Sequence, residues 1–482
     1  MSDQYVKALP NLTKDVVSGK KGFMLDAYLV ALEGFRRGLT LTWYKAESEI
    51  CDLDRLNSST NGKFFSLSDS EKEHYFFRSR GDLVANKTVR LVQNKEETKM
   101  ALLKKGVPVP KGKNFHVKEA DKDILLTSEQ VGFPQVIKPR NGSMGKAVYT
   151  NLNNSNEVKV ALEDLRGKYR FQEYIIEKYY PGKEYRIYVV GDKVVAATNR
   201  IPANVIGDGK RSIKDLIVLK NKERKKNPYL APKPIKVDFE VQNTLKNLGY
   251  TLDSVPADGE NLFLKKISNL SSGGDPIDAT DDLSEEIKQI AIDTLKALPN
   301  IPHAGVDIIV DPILDTKGVV LEVNATAEIA FHMFPLEGKA RNIPEAIIDY
   351  YFPATIEEPK SPFYFNYQSI IEPLSNGVVD KIELPLPPVG DSYGKIYIAS
   401  GKLDKVGYMK WIKKQALRNN LNGYVKKLQN GDVKIFVSGS KNKVDKFKEK
   451  CWKGSLKSVV NDVIEKSWII QHPIQVGFYL IT

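Results

Sequence analysis

The chain has 482 residues, 41% of them hydrophobic and 27% charged, and a net charge of +12. That length exceeds what one hydrophobic core supports, so several domains of the ordinary globular class are expected. An apolar run long enough to span a membrane is missing, the N-terminal MSDQYVKALPNLTKDVVSGKK lacks a signal peptide's apolar core, and Cys51 and Cys451 alone make no disulfide framework or cysteine zinc site. A reducing, cytoplasmic setting is therefore expected. From Lys381 onward, 18 Lys and one Arg stand against eight Asp and Glu, which leaves +11 of the +12 in the last fifth of the chain. The basic character belongs to one C-terminal domain and its partner.

In chain order, Leu25, Leu29, Leu32 and Phe35 recur at helical spacing and lead into Leu39–Trp43, a strand. A helix opens at Asn94 and stops before Gly106-Val107-Pro108-Val109-Pro110. Phe133–Lys138 reads as a strand running into a glycine-bearing loop. Tyr185–Val190 and Val194–Thr198 flank Gly191-Asp192 as a hairpin. Asp282–Leu298 is an amphipathic helix, and the strands His303–Val310 and Gly318–Asn324 follow, joined around Asp315. Proline-rich spacers lie near Pro353–Pro362 and Leu384–Pro388. Beyond them come a strand over 395–399, a helix over 405–420, a strand pair around Gly431 and a helix over 443–451.

The strongest chemical signal is Val306-Asp307-Ile308 with Leu321-Glu322-Val323-Asn324. Strand alternation puts Glu322 and Asn324 on one face, and Asp307 on a neighbouring strand can reach the same spot. Two carboxylates and an amide oxygen in an apolar setting are the hard-oxygen donors Mg²⁺ prefers. An ordinary solvent-facing strand is the plainer alternative. Lys138 ends a buried strand before Asn141–Lys146, a loop whose backbone N–H groups could hold phosphates; a surface turn explains it equally well. The segment Gln172-Glu173-Tyr174-Ile175 can present backbone groups to an adenine edge, and Glu184 lies where it could accept from ribose hydroxyls.

Taken together and in this order, these segments resemble the ATP-grasp superfamily over about Asn94 to Pro353. The likeness is to the ATP-grasp module of cyanophycin synthetases and, less closely, of bifunctional glutathione synthetases, carried by KEETKMALLKKGVPVPKG, GFPQVIKPRNGSMGK and GYTLDSVPADGENLFLKKISNLSSGGDPIDATD. The resemblance implies that Lys95 and Lys138 neutralise ATP phosphates under a loop containing Ser143, Met144 and Gly145. It implies adenine contacts from Glu173, Tyr174 and Ile175, ribose contacts from Glu184, and two Mg²⁺ ions (with Mn²⁺ as a substitute) on Asp307, Glu322 and Asn324. Arg200, Lys210, Lys265 and Asn269 would face the transferring phosphate or the activated carboxylate, with Lys265 standing where the pattern has arginine. Thr326-Ala327-Glu328 replaces the pattern's Ala-Pro-Gly beside the acceptor, so the relatives' own substrates do not carry over. The Mur-like second half of cyanophycin synthetase has no counterpart.

Residues 393–452 resemble acylphosphatase, a small α/β sandwich. Met409 stands where that family has its catalytic arginine, and Lys427 where it has its asparagine. The expected architecture is an α+β multidomain chain: an N-terminal α/β pre-ATP-grasp domain (1–93), a two-lobed ATP-grasp domain (94–353), a linker (354–392) and an acylphosphatase-like domain (393–482). The expected function is ATP- and Mg²⁺-dependent amide formation through an acyl phosphate. Its partners would be ATP, an amino acid or short-peptide carboxylate and an amine, with no membrane, an acidic partner for the C-terminal domain and a homodimeric assembly. Two alternatives stand beside it. One is an ATP-regulated polyanion- or RNA-binding protein using Trp411, Tyr424 and Trp452 for stacking. The other is an ATP-grasp enzyme that phosphorylates or carboxylates without forming an amide.

Overall fold

The computed structural model describes residues 9, 12–45, 53, 61–140, 147–311, 313, 317–388, 393–468 and 473–481. The chain divides into two compact units. The first takes Met1–Leu9, Lys21–Asp26 and Ser79–Tyr350, and the second takes Pro10–Lys20, Ala27–Arg78 and Tyr351–Thr482. The loop with Ser143, Met144 and Gly145, the turn around Asp315 and Cys51 fall outside the described residues. Among the described residues no helix is long and apolar enough to cross a membrane.

In the first unit the helix Lys95–Leu103 begins where Asn94 caps it, its Oδ1 accepting from the backbone N–H of Glu96 and Glu97. Gly106, left-handed at φ +77°, and the prolines after it stop the helix. A four-stranded antiparallel sheet follows in the order Gly112–His116, Glu173–Lys178, Gln135–Pro139, Tyr149–Leu152. Helices Asp121–Val131 and Ser155–Lys168 cover one face, where Ile124, Val158 and Leu162 meet Phe115, Ile137, Tyr174 and Ile176. Alternation leaves Lys138, Glu173, Ile175 and Glu177 on the other face.

A second, five-stranded antiparallel sheet runs Asp275–Asp278, Lys193–Ile201, Lys183–Val190, His303–Val310, Gly318–Asn324. The helix Glu285–Lys296 buries Ile287, Ala291 and Leu295. It is shorter than the 282–298 periodicity predicts, because the Ser284 hydroxyl accepts from the Ile287 N–H and caps it there. A smaller module pairs Asn204–Ile206 with Asn261–Phe263 under helices Ile213–Arg224 and Phe239–Asn247, around Val205, Ile213, Leu245 and Leu264.

The second unit holds a sheet ordered Lys381–Glu383, Thr40–Tyr44, Phe64–Ser68, Glu73–Phe77. Its last hairpin turns on Asp69, whose Oδ1 accepts from the N–H groups of Glu71 and Lys72, both at 2.8 Å. Trp43 anchors the core, 4.9 Å from the Phe65 ring and 5.5 Å from Tyr367. The C-terminal sheet is ordered Val459–Ser467, Tyr393–Lys402, Val433–Gly439, Asn422–Lys427, Phe478–Ile481. Helices Tyr408–Arg418 and Lys441–Lys453 pack on one face of it, against Tyr397, Val425 and Ile435. The first of these starts at Tyr408 rather than 405, because left-handed Gly407 (φ +77°) precedes it.

Candidate active site

One cavity of the first unit gathers residues far apart in sequence. The helix Lys95–Leu103 supplies Lys95, Thr98 and Lys99, the strand Gln135–Pro139 supplies Lys138, and its neighbour supplies Glu177. Val320, Leu321 and Glu322 from the five-stranded sheet line the same space. Lys138 Nζ lies 2.5 Å from Glu177 Oε2 and Lys99 Nζ 3.4 Å from Glu177 Oε1. Burial lowers the Lys99 pKa against the opposing pull of Glu177. Across the space Lys95 Nζ lies 2.9 Å from Glu322 Oε2. Three lysines and two carboxylates thus line one space.

Of the segment read as an adenine contact, Glu173 and Ile175 share the face of Lys138, whereas the Tyr174 ring points the other way into the core, 5.7 Å from Phe115. Glu173 offers its carbonyl to the Arg140 N–H at 3.0 Å. Glu177 and Lys99 are site residues that the sequence motifs do not single out. Glu177 falls two residues beyond Ile175 on the same strand face, and that alternation is the signal for it.

The second cluster rests on sheet register. Asp307 lies opposite both Arg186 and Glu322, so these three side chains share one face of adjacent strands. Arg186 grips both Asp307 oxygens, with Nη2 to Oδ2 at 2.8 Å, and Arg200 Nη2 reaches Oδ2 at 2.9 Å. Burial alone would raise the Asp307 pKa, but the two guanidiniums hold it well below the usual carboxylate range. Arg200 also pairs with Glu184. Asn324 Nδ2 donates to Glu322 Oε1 at 3.1 Å.

The donor chemistry fits Mg²⁺ in part. Glu322, whose side chain is 35% exposed, and Asn324 Oδ1 are accessible hard oxygens. Asp307 already has both oxygens committed to arginine. Among the described residues no group of three or more His, Cys, Asp and Glu gathers as a metal cage, so phosphate and water would have to complete any shell.

The remaining candidates sit in local networks. Lys265 pairs with Asp238 at 2.5 Å and Glu240 at 3.4 Å. The Asn269 Oδ1 accepts from the Ser271 N–H at 3.0 Å as the cap of a short helical turn. The Lys210 N–H donates to Asp208 at 3.0 Å. None of these contacts involves Lys95, Lys99 or Lys138.

A further group surrounds Glu328. Tyr229 Oη donates to Glu328 Oε2 at 2.8 Å, Lys233 Nζ lies 3.4 Å from Oε1, and Lys233 sits 3.4 Å over the Tyr229 ring. Asp26, fully buried, accepts from the N–H groups of Ile329 and Ala330 at 3.1 and 2.9 Å, and its Oδ2 has no hydrogen-bond partner among the described residues. Burial, reinforced by Glu328, pushes the Asp26 pKa up to about 8. Burial works to lower the Arg186 pKa, and Asp307, with smaller contributions from Glu322 and Glu328, raises it above the usual guanidinium range.

Two family models match this chain. A RimK-like ATP-grasp domain covers residues 92–210 and an acylphosphatase covers residues 395–479. The chain carries an ATP-grasp domain. It also carries an acylphosphatase-like domain. The glutathione biosynthesis bifunctional protein GshAB of Clostridium perfringens is 31% identical over 366 residues, 73% of this chain and 44% of that protein. Cyanophycin synthetase of Crocosphaera subtropica is 34% identical over 280 residues, 57% of this chain and 31% of that protein. A crystal structure of the bifunctional glutathione synthetase from Pasteurella multocida aligns with 28% identity and a TM-score of 0.49, over 62% of this chain and 41% of that one. The chain spans less than half the length of either of these two curated relatives, the Clostridium and Crocosphaera proteins. The cavity around Lys95, Lys99 and Lys138 lies largely within the stretch that the ATP-grasp model matches.

Proposed function

We propose that this chain is an ATP-grasp ligase that joins a carboxylate to an amine. The observation that carries the reading is the cavity in which Lys95, Lys99 and Lys138 converge opposite Glu322, beside the Arg186–Asp307–Arg200 cluster. A site of cations and hard oxygens suits phosphoryl transfer, which needs charge neutralisation and positioning more than covalent help from the protein. The named relatives, a glutathione biosynthesis protein and cyanophycin synthetases, agree with it.

In the reaction so read, a carboxylate oxygen attacks the γ-phosphorus, the bond to ADP breaks, and an acyl phosphate forms. The neutral amine nitrogen then attacks the carbonyl carbon, the C–N bond forms, phosphate leaves with the carboxylate oxygen, and one proton passes from the nitrogen to solvent. Lys95 and Lys138 hold the phosphates under the loop with Ser143, Met144 and Gly145. The backbone of Glu173, Tyr174 and Ile175 is paired with the strands on either side, so an adenine contact falls instead to the Glu173 and Ile175 side chains on the face of Lys138, and Glu184 meets ribose. Arg200, Lys210, Lys265 and Asn269 steady the transferring phosphate and the activated carboxyl. Glu322 and Asn324 would hold Mg²⁺, and Asp307 beside them, held by Arg186 and Arg200, would complete the expected set; bound Mg²⁺ would supply further neutralisation of phosphate charge.

We read the acylphosphatase-like domain as catalytically silent. Met409 packs against its core, and Lys427 pairs with Asp404 at 2.9 Å. The remaining parts of the proposal are a cytoplasmic homodimer, an ATP-grasp domain over 94–353 and an acylphosphatase-like domain over 393–482. The stretch 354–392, expected to be a linker, instead holds the helix Tyr367–Ser375 and pairs Lys381–Glu383 with Thr40–Tyr44, so it belongs with the N-terminal sheet.

The test is a panel of amino acids and short peptides incubated with the protein, ATP and Mg²⁺. Phosphate should appear only with a productive pair, and the product mass should equal the two substrates less water. A phosphorylated or carboxylated product would instead favour the non-ligase alternative, and silence across the panel would count against the ligase.

A further inference from the structure

The C-terminal sheet has a face that its own helices leave uncovered. Both helices pack on the side of Tyr397, Val425, Ile435 and Val437. By alternation and register the other side carries Ile398, Tyr424, Phe436, Ile464 and Ile481. A one-sided antiparallel sheet ordinarily turns polar residues to water. This one mixes apolar and aromatic residues with lysines there, and Ile464 and Ile481 remain 51% and 38% exposed.

The aromatic rings form a row across the strands. Tyr424 stands opposite Phe436 with ring centroids 5.6 Å apart, and Trp468 follows 4.4 Å beyond Phe436. Gly394 makes room for the row, since a Cβ there would come within 2.8 Å of the Trp468 ring. Phe436 is buried in the middle, while Tyr424 and Trp468 keep part of their surface. Lys426 and Lys434 lie on the same face, as does Lys466, opposite Ile396, and Lys434 Nζ lies 5.9 Å from the Tyr424 ring centre. The region from Lys381 carries a net +11, but ten of its cations sit on the two helices that cover the opposite side, so the cations of this face are Lys426, Lys434 and Lys466. Of the aromatics expected to stack, Tyr424 alone lies on this face; Trp411 packs on the helix-side core and Trp452 sits on the helix Lys441–Lys453.

We propose that this face binds single-stranded nucleic acid. Bases would stack on Tyr424 and Trp468, and the lysines would pair with phosphates. Flat rings spaced across a sheet and bordered by cations are how sheet surfaces hold unpaired bases. A folded acidic peptide would use the charge and leave the rings unused, and a duplex keeps its base faces hidden. This proposal stands apart from the ligase reading.

The experiment titrates the full chain into a fluorescein-labelled oligouridylate by fluorescence anisotropy, with double-stranded RNA and polyglutamate as competitors. The expected result is micromolar binding in low salt that competes far better with unlabelled oligouridylate than with either competitor. Tyr424→Ala and Trp468→Ala should each weaken it about tenfold without changing its salt slope. Tyr424→Phe and Trp468→Phe should keep it, which separates stacking from loss of fold. Lys426→Ala with Lys434→Ala should weaken it and flatten the slope. Equal competition by polyglutamate or duplex, alanine variants that bind like the parent, or absence of binding in low salt would each overturn the proposal.

Discussion

Lys138 reaches diagonally across two adjacent strands to Glu177, 2.5 Å from nitrogen to oxygen, while Lys99 approaches the other oxygen of the same carboxylate from a helix. One acid therefore holds two cations at the wall of the cavity. A triphosphate would compete with Glu177 for both.

That relationship makes a stability prediction. Glu177→Gln leaves two half-buried lysines facing each other without a counter-charge and should cost about 1–3 kcal/mol. ATP should restore more stability to the variant than to the parent, because phosphate replaces the lost charge. Thermal melts with and without ATP check this; equal ATP-induced shifts in the two proteins would contradict it.

At the metal-facing strand, Glu322→Ala should abolish ATP turnover and leave the melting temperature within a few degrees, since Glu322 is partly exposed and Lys95 can remain solvated. Asp307→Ala should behave differently. It removes the carboxylate shared by Arg186 and Arg200, leaving them Glu322 and Glu184, and should lower stability by about 1–3 kcal/mol as well as activity. Near-parental ATP consumption by Glu322→Ala would remove the metal assignment.

Asp26 makes a pH prediction with a definite sign. Its folded pKa, raised to about 8, lies above the unfolded value, so the folded state binds the proton more tightly. The stability this gives is fully present below the unfolded pKa and is lost as pH rises through about 8. Asp26→Asn mimics the protonated form and still accepts from Ile329 and Ala330. It should melt higher than the parent at pH 8 and converge with it at pH 4, and a constant difference across that range would contradict the assignment.

Much of this architecture was legible in the sequence. The strands His303–Val310 and Gly318–Asn324 fall where the apolar runs put them, and Asn94 with Gly106 marks both ends of a helix. Other features depend on partners that periodicity does not identify. The hairpin on Asp69 has strands of five residues and no glycine in its turn. Arg186 was visible as a residue, but its role rests on lying opposite Asp307, a matter of register between segments 121 positions apart. Tyr174 and Glu177 show the same limit, because which strand face meets the cavity is decided by the helices packed behind it.

Glu328, which departs from the relatives' pattern, should govern substrate choice. Glu328→Ala frees Tyr229 and Lys233 and should raise the KM of the productive amine or carboxylate at least about tenfold, with the KM for ATP unchanged. Steady-state kinetics on the pair found by the panel measures this. A rise in the ATP KM alone would move Glu328 out of the substrate site.

The acylphosphatase-like domain should not hydrolyse benzoyl phosphate, because Met409 offers no guanidinium fork and Lys427 is held by Asp404. A phosphate-release assay with the full chain tests it, and turnover above the uncatalysed rate would overturn the silent reading.

The central claim is that the carboxylate is activated as an acyl phosphate, and oxygen-isotope transfer tests it most directly. With a productive pair whose carboxylate carries oxygen-18, one labelled oxygen should pass into the released phosphate for each amide formed. Amide formation with unlabelled phosphate would contradict the account.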